Sequence, residues 1–120
     1  MSVLEKTQRL HQMMAEGKVM EAFEEFYHDN VVVVEADGEV RKGKAAQRQA
    51  IHDWMNGVQE QHGGGVGAIT ANEETGVTAV ESWTDVSTAH GRVKMEEVAI
   101  QKWQDDKIIH ERFYYNVPGQ

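Results

Sequence analysis

Three glutamates in the second half of the chain, Glu81, Glu97 and Glu111, are the residues best placed for acid–base chemistry. Each falls at an odd-numbered position of a strand-like segment, and alternate residues of a strand point to the same face. Neighbouring strands lie about 4.8 Å apart, so carboxylates on one face can approach closely enough that one retains a proton. That group and its ionised neighbours would supply an acid and a base in one pocket. Arg48, or another cation from a helix, could instead neutralise all three as a structural network, and the residues alone leave both interpretations open.

This shared face depends on two hairpin turns. Ala89-His90-Gly91 and Gln104-Asp105-Asp106 are typical of three-residue loops, with Gly91 and Asp106 in the left-handed conformation. A one-residue slip in either loop would turn a whole strand over. The loops pair Thr88 with Arg92 and Trp103 with Lys107, and they predict three cross-strand rows: Glu81–Ala99–Glu111, Trp83–Glu97–Phe113 and Asp85–Met95–Tyr115.

The same predicted face carries large aromatic side chains that could form the walls of a pocket: Trp83, Trp103, Phe113 and Tyr115. Aromatic residues contribute most when they are buried, so we expect this face to point toward the helices. Carboxylates among them are costly unless they are paired or hydrated, which favours a solvent-accessible cavity. The Tyr115 hydroxyl is a candidate hydrogen-bond donor to an oxyanion that develops on a substrate.

The opposite, even-numbered face has an apolar centre of Val80, Val98 and Ile100 with basic margins. A half-apolar sheet face of this kind is typical of an interface between proteins. We therefore expect a homodimer formed through this outer sheet face, with Val98, Ile100 and His110 near the centre of the interface.

Three helices are expected ahead of these strands. Apolar residues recur at helical spacing over residues 3–14 and again over residues 19–27, with Gly17 between them as a helix stop. The turn formers at residues 28–30 end the second helix, and a buried strand follows over residues 31–34. A third helix covers residues 44–57, with Trp54 on its apolar face.

Further strands are predicted near residues 66–72, 77–88, 92–103 and 107–116, and a short strand over residues 39–41 follows the Asp37-Gly38 turn. Three helices followed by long antiparallel strands indicate an α+β fold, in which the helices pack on one face of a sheet. A length of 120 residues corresponds to one domain, and we assign residues 1–120 to it.

The composition excludes several classes of function. Twelve basic and 20 acidic residues give a net charge of −8, which disfavours binding to nucleic acid or to an anionic membrane surface. The chain has no cysteine, so disulfides, thiolate nucleophiles and zinc–thiolate sites are excluded. Residues 1–10 carry charges where a secretion signal would be apolar, and we expect a cytoplasmic protein.

The histidines and the glycine-rich run give little indication of a cofactor, and none is expected. No close histidine pairing such as HExxH is present, so we predict no metal site. The run His62-Gly63-Gly64-Gly65-Val66-Gly67 lacks the Lys-Ser/Thr of a phosphate loop, and we interpret it as a flexible entry to the next strand at a pocket rim. His11 lies on the inner stripe of the first helix and is a candidate pocket residue, although a buried core histidine is the simpler interpretation.

The order of these elements resembles the SnoaL-like branch of the nuclear transport factor 2-like superfamily, which includes ketosteroid isomerases and polyketide cyclases. The resemblance covers nearly the whole chain: two helices broken at AEGK, then FYHDNVVVVEADGEVRKGKAA, then EEVAIQKWQDDKIIHERFYYN. Trp103 to Tyr115 is similar to the family's terminal strand pair, W-x-D-G-K-I…ERF, with Asp106 in place of glycine. The resemblance implies a cone in which a strongly bent, mostly antiparallel sheet wraps around three helices, leaves a pocket at its open end and dimerises through its outer face.

The resemblance also implies one catalytic residue. Ketosteroid isomerases carry a carboxylate base on the first strand, and Glu35 stands at about that position here. Their oxyanion hole uses a tyrosine of the first helix and a protonated aspartate of the penultimate strand. The matching positions are near Leu10 and Ala99, and neither side chain can donate a proton. The comparison therefore favours Glu35 as a general base and argues against steroid isomerisation itself.

Two functions stay open on the sequence alone. The first is cofactor-independent acid–base catalysis, such as isomerisation, cyclisation or dehydration, on a small apolar molecule with a carbonyl or an activated C–H group. Glu35 and one of the three strand glutamates would move the proton. The second is a non-catalytic ligand-binding or dimerisation module with structural carboxylates. A solvent-open cavity that reaches both Glu35 and Glu111 would favour the first.

Overall fold

The computed structural model describes residues 1–116 and begins with two helices, α1 (Val3–Ala15) and α2 (Val19–Phe26). Ser2 and Glu5 form a capping box at the start of α1, in which each side chain accepts a hydrogen bond from the other residue's backbone. Gly17 adopts a positive φ of 82° between the two helices, as expected for a helix stop. The capping box thus fixes the start of α1, and Gly17 fixes the predicted break between α1 and α2.

The remaining elements form one six-stranded sheet with a third helix between its second and third strands. Their bounds are β1 Tyr27–Val34, β2 Val40–Lys42, α3 Lys44–Gly57, β3 Glu60–Asn72, β4 Val77–Thr88, β5 Gly91–Gln104 and β6 Lys107–Tyr114. The strand order is β2-β1-β6-β5-β4-β3, and every neighbouring pair is antiparallel except β1 and β6. The sheet is open, and the predicted α+β fold with three helices and a mostly antiparallel sheet is confirmed.

Two strands begin earlier than predicted. Residues 28–30 lie within β1 rather than in a turn, because Tyr27 already pairs with Ile108 of β6. The glycine-rich run lies within β3 and is not a flexible loop. The glycines leave room for the Trp83 side chain on the neighbouring strand, since a Cβ at Gly65 would lie 2.7 Å from Nε1 of its indole ring.

The register predicted for β4 and β5 is wrong by one residue. The connecting turn contains two residues, Ala89 and His90, because Thr88 pairs with Gly91 rather than with Arg92. The odd-numbered residues of β4 are therefore turned away from the helices, and its even-numbered residues face them. The buried residues of β4 are accordingly Thr78, Val80 and Val86.

The residues of β5 and β6 that share a face are those predicted, although the pairing of the two strands differs from the predicted pairing. Their turn also has two residues, Asp105 and Asp106, both with positive φ (53° and 65°), and it pairs Gln104 with Lys107. A bulge between Lys102 and Trp103 then restores the odd-with-odd pairing. The observed rows differ from those predicted: Ala99 pairs with Phe113, and Gln101 pairs with Glu111.

The hydrophobic core lies between α1, α2 and the inner face of β1, β5 and β6. Its buried members are Leu10, Met13, Ala22, Phe26, Val31, Val33, Trp103 and Ile108. The Phe26 and Trp103 rings meet edge to face with their centroids 5.9 Å apart. None of the helices in residues 1–116 has the length and apolar character needed to cross a membrane.

Candidate active site

A cavity of about 390 Å³ lies between α3, the segment that joins β1 to β2, and the inner face of β4, β5 and β6. This volume is in the usual range of small-molecule sites, about 300–1,000 Å³. Most of the surface of its wall is apolar, and acidic side chains outnumber the basic ones. Its lining residues are Glu35, Asp37, Glu39, Arg41, Gln47, Ala50, Ile51, Trp54, Thr84, Met95, Glu97, Phe113 and Tyr115.

One wall of the cavity is organised around Glu35, the residue that follows β1. Its carboxylate forms an ion pair with the guanidinium of Arg41 and accepts a hydrogen bond from the Tyr115 hydroxyl at 2.8 Å. Burial and the bond to Glu35 raise the pKa of Tyr115, so this hydroxyl keeps its proton and acts as a donor. Glu35 is therefore a charge-compensated group rather than a free base.

Arg41 is fixed by three partners. Besides Glu35, it donates from Nε to Oε1 of Gln47 at 2.8 Å and from NH1 to Oε1 of Glu39 at 3.1 Å. Gln47 is buried in the first turn of α3, so this helix helps to orient the guanidinium. The arrangement places one rigid cation on the cavity wall.

Glu97 on β5 is the uncompensated carboxyl of the cavity. Among the ion pairs and hydrogen bonds of residues 1–116, none involves its carboxylate. Burial, and then repulsion from Glu111 and Glu35, raises the pKa of Glu97 from 4.5 to about 7. A carboxyl with this pKa can both release and accept a proton near neutral pH.

Glu111 lies below the cavity rather than in its wall, and it is 2% exposed. The Tyr27 hydroxyl lies 2.7 and 2.8 Å from its two carboxylate oxygens, and Gln101 Nε2 donates to Oε2 at 2.6 Å. Burial raises the pKa of Glu111, whereas these two donors act in the opposite direction. The predicted approach of Glu111 to Glu81 does not occur.

A buried polar row continues from Glu111 across the sheet. Gln101 Oε1 accepts a hydrogen bond from the Thr78 hydroxyl at 3.0 Å, and Thr78 Oγ1 accepts one from the Trp103 indole at 3.0 Å. In the other direction, Glu111 pairs with Val33, which pairs with Arg41. One cross-strand row thus connects the cation of the cavity wall with the buried carboxylate.

The structure brings half of the predicted site residues to the cavity: Glu35, Glu97, Trp54, Phe113 and Tyr115. It contradicts the inward placement of Glu81 and Trp83, which are exposed on the outer face because β4 is turned over. Trp103 is not a pocket wall, since it is buried in the core and uses its indole N–H on Thr78.

His11 does not line the cavity either. Its Nε2 is buried without a hydrogen-bond partner in the described part of the chain, and burial lowers the pKa of its imidazole. A neutral, partly buried histidine of α1 fits these observations, which is the simpler of the two interpretations made from sequence.

The cation named from the sequence is also wrong. Arg48 pairs with Glu24 at 2.7 Å, away from the cavity, and so does not neutralise the three strand glutamates, whereas the cation of the cavity wall is Arg41 of β2, paired with Glu35. Tyr27, which bonds Glu111, was not predicted as a site residue, because the helical spacing assigned it to the second helix rather than to β1. Within residues 1–116, no three histidine, aspartate or glutamate side chains are grouped so as to hold a metal ion.

Comparisons with known proteins agree on the fold. The sequence profile of the SnoaL-like domain family matches residues 1–115. A candidate SnoaL-like polyketide cyclase from Mesorhizobium loti, also described as a carbohydrate phosphatase, is 30% identical with a TM-score of 0.86, and the match covers 96% of this chain and 100% of that chain. No curated protein sequence matches the chain.

Two further solved structures share the fold at lower identity. A candidate isomerase from Bacillus subtilis has a TM-score of 0.79 at 16% identity and covers 97% of this chain and 90% of its own. The epoxide hydrolase/cyclase-like enzyme SalBIII has a role in pyran ring formation in the polyether salinomycin. Its TM-score is 0.76 at 22% identity, and the match covers 94% of this chain and 89% of that chain. At these identities the likeness concerns the fold.

Proposed function

The chain belongs to the SnoaL-like family, and we propose that it is a cofactor-independent acid–base enzyme that moves a proton on a small, uncharged carbonyl compound. The observation that carries the proposal is the contrast between two carboxyl groups of one cavity. Glu35 has a cation and a hydroxyl donor, whereas Glu97 has neither among the described residues. Glu97 is therefore the group that exchanges a proton with the substrate.

The opposite wall supplies the donors for a developing negative charge. Arg41 keeps two N–H groups beyond its bonds to Glu35, Glu39 and Gln47, and the single O–H of Tyr115 turns from Glu35 to the oxyanion when a substrate is bound. Pre-positioned donors of this kind stabilise an enolate or alkoxide oxygen in the transition state. In this arrangement Glu97 removes or returns the proton, and Glu35 keeps the two donors oriented.

The lining residues restrict the substrate. Four carboxyl groups, those of Glu35, Asp37, Glu39 and Glu97, face one guanidinium, so an anionic substrate would be repelled. Apolar side chains from α3 and the sheet complete the wall: Ala50, Ile51, Trp54, Met95 and Phe113. An uncharged, largely apolar molecule with one carbonyl group fits this combination. Isomerisation, cyclisation and dehydration of such a molecule each require a proton transfer of the kind assigned to Glu97.

Hydrogen–deuterium exchange at carbon tests this function without knowledge of the natural product. Neutral ketones and β-keto esters are incubated with the protein in D₂O, and loss of the α-proton signal is followed by NMR. We expect exchange with the unmodified protein and a loss of about 10²–10⁴-fold in Glu97→Gln. Glu74→Gln is the matched control, because Glu74 is exposed in the β3–β4 turn, outside both the cavity and the outer sheet face. Binding of these compounds without exchange would instead favour a non-catalytic binding module.

We also propose that two copies pair through the outer sheet face. This face exposes Trp83 and Tyr114 by 38% and 49%, and Val98 and Ile100 are half-buried beside them. Analytical ultracentrifugation at about 50 µM, well above the Kd of a standard-size interface, should show a dimer. Tyr114→Glu should dissociate it, whereas Val40→Glu, at an equally exposed position on β2, should not. A monomer in the unmodified protein would contradict the proposal.

A further inference from the structure

The floor of the cavity separates Glu97 from a second inward-facing carboxyl group. On β5, Ala99 lies between Glu97 and Gln101, and all three point to the inner face. Ala99 pairs with Phe113, and Gln101 pairs with Glu111. Glu111 therefore lies in the row directly below the Ala99–Phe113 row, and Glu97 lies above it. A single row of side chains separates the two carboxyl groups.

The hydrogen bonds below the floor all run toward Glu111. The Trp103 indole can only donate, so Thr78 Oγ1 accepts and its hydroxyl hydrogen is left for Gln101 Oε1. The Gln101 amide then presents Nε2–H to the carboxylate of Glu111 at 2.6 Å. The Tyr27 hydroxyl donates from the other side. Glu111 is thus the end of a chain of donors, which stabilises its ionised form and offsets part of the burial that raises its pKa.

Glu111 is buried and Glu97 is half-buried on the same face of the sheet, so a charge on one disfavours a charge on the other. Glu111 has two donors, and Glu97 has none among the described residues. We propose that Glu111 is a positioning residue, whose buried charge acts across the Ala99–Phe113 row and raises the proton affinity of the Glu97 carboxyl. Its catalytic meaning rests on the proposed function, but the proton affinity of Glu97 can be measured independently of any substrate.

The other charged groups that face Glu97 have smaller effects. Glu35 on the β1 side is paired with Arg41, and Glu39 on the β2 side shares the same guanidinium at 3.1 Å. Asp37 lies in an exposed turn. Repulsion from Glu111 accordingly contributes more than repulsion from Glu35 to the raised pKa of Glu97. The side chains that α3 contributes to the cavity carry no charge: Gln47, Ala50, Ile51 and Trp54.

The test is a ¹³C NMR titration of the glutamate side-chain carboxyl carbons in the free protein, with the Glu97 resonance assigned from Glu97→Gln. In Glu111→Gln the titration midpoint of Glu97 should fall by about one pH unit or more, a tenfold rise in its acid dissociation constant. In the control Glu74→Gln, at an exposed position of the β3–β4 turn, the midpoint should stay in place. An unchanged midpoint in folded Glu111→Gln would overturn the proposal.

A second variant covers the case in which Glu111→Gln does not fold. Tyr27→Phe keeps the ring and removes one donor, so Glu111 takes up the proton more readily and its repulsion of Glu97 weakens. The Glu97 midpoint should again fall. A lower melting temperature with an unchanged Glu97 midpoint would assign a structural role to Glu111 and overturn the proposal. A shifted midpoint without carbon-acid exchange would leave this proposal standing and remove the proposed function.

Discussion

Tyr115 donates its hydroxyl proton to Glu35 at 2.8 Å, although 80 residues separate them in the chain. The contact exists because β1 and β6 are parallel neighbours, so that the residues that follow both strands meet on one wall of the cavity. The bond gives the hydroxyl a fixed direction, and the raised pKa of Tyr115 keeps its proton in place. Tyr115 therefore serves as a donor, and not as a base.

Tyr115→Phe should lower the rate of α-proton exchange by about 10²-fold, because it removes one donor to a developing oxyanion. The effect should fall on kcat, since the donor is most important when charge develops in the transition state. Tyr114→Phe is the matched control, because Tyr114 is the next residue and points to the outer face, 49% exposed. Equal rates in the two variants would exclude Tyr115 from the chemistry.

The sequence predicts the elements well but not the face of β4. Ala89-His90-Gly91 suits a two-residue or a three-residue turn, and the residue types do not decide between them. Gly91 has a positive φ of 114°, as expected, yet it pairs with Thr88 instead of lying in the loop. The alternation of apolar residues on β4 is also weak, because Trp83 lies on the outer face over Gly63 and Gly65.

Most of the site residues that were predicted correctly follow from the faces of β5 and β6, whereas Glu35 follows from the family resemblance and Trp54 from the helical spacing of α3. Glu97, Phe113 and Tyr115 reach the cavity because the bulge beside Trp103 offsets the shorter turn. Arg41 could not be identified from the sequence. Its partners Glu35, Glu39 and Gln47 all lie within six residues of it, but the residue types of this segment do not show which side chain of β2 faces the cavity. The parallel contact of β1 with β6, which brings Tyr115 to Glu35, is long-range and leaves no local signal in the sequence.

The stability of the protein should fall as the pH rises through about 7, because of Glu97. The pKa of Glu97 is raised from 4.5 to about 7, so the folded state binds its proton more tightly than the unfolded state. This contribution is complete below about pH 4.5 and is lost as the pH passes about 7. Glu97→Gln should remove the decline and raise the melting temperature at pH 8. Parallel pH profiles for Glu97→Gln and the unmodified protein would contradict the assignment.

Glu73 in the β3–β4 turn caps the first helix. Its two carboxylate oxygens accept hydrogen bonds from the backbone N–H groups of Val3 and Leu4 at 2.9 and 3.1 Å. Glu73→Ala should lower the free energy of unfolding by about 1 kcal/mol, because two donors and the positive end of the helix dipole lose their partner. Urea unfolding measures the change. Glu74→Ala, at the exposed neighbouring position, should be nearly neutral.

The glycines of β3 make room for Trp83, and a double-mutant cycle can measure that relationship. A Cβ at Gly65 would lie 2.7 Å from Nε1 and 3.2 Å from Cε2 of the indole, so Gly65→Ala must displace the ring. We expect a loss of about 1–3 kcal/mol in the free energy of unfolding, as for other overpacked sites. In a Trp83→Ala background the obstacle is gone, and the same substitution should be neutral or stabilising, since alanine restricts the unfolded chain more than glycine does. A coupling of about 1 kcal/mol or more between the two positions is therefore expected. An equal cost in both backgrounds would show that glycine is required by the strand itself and not by the tryptophan.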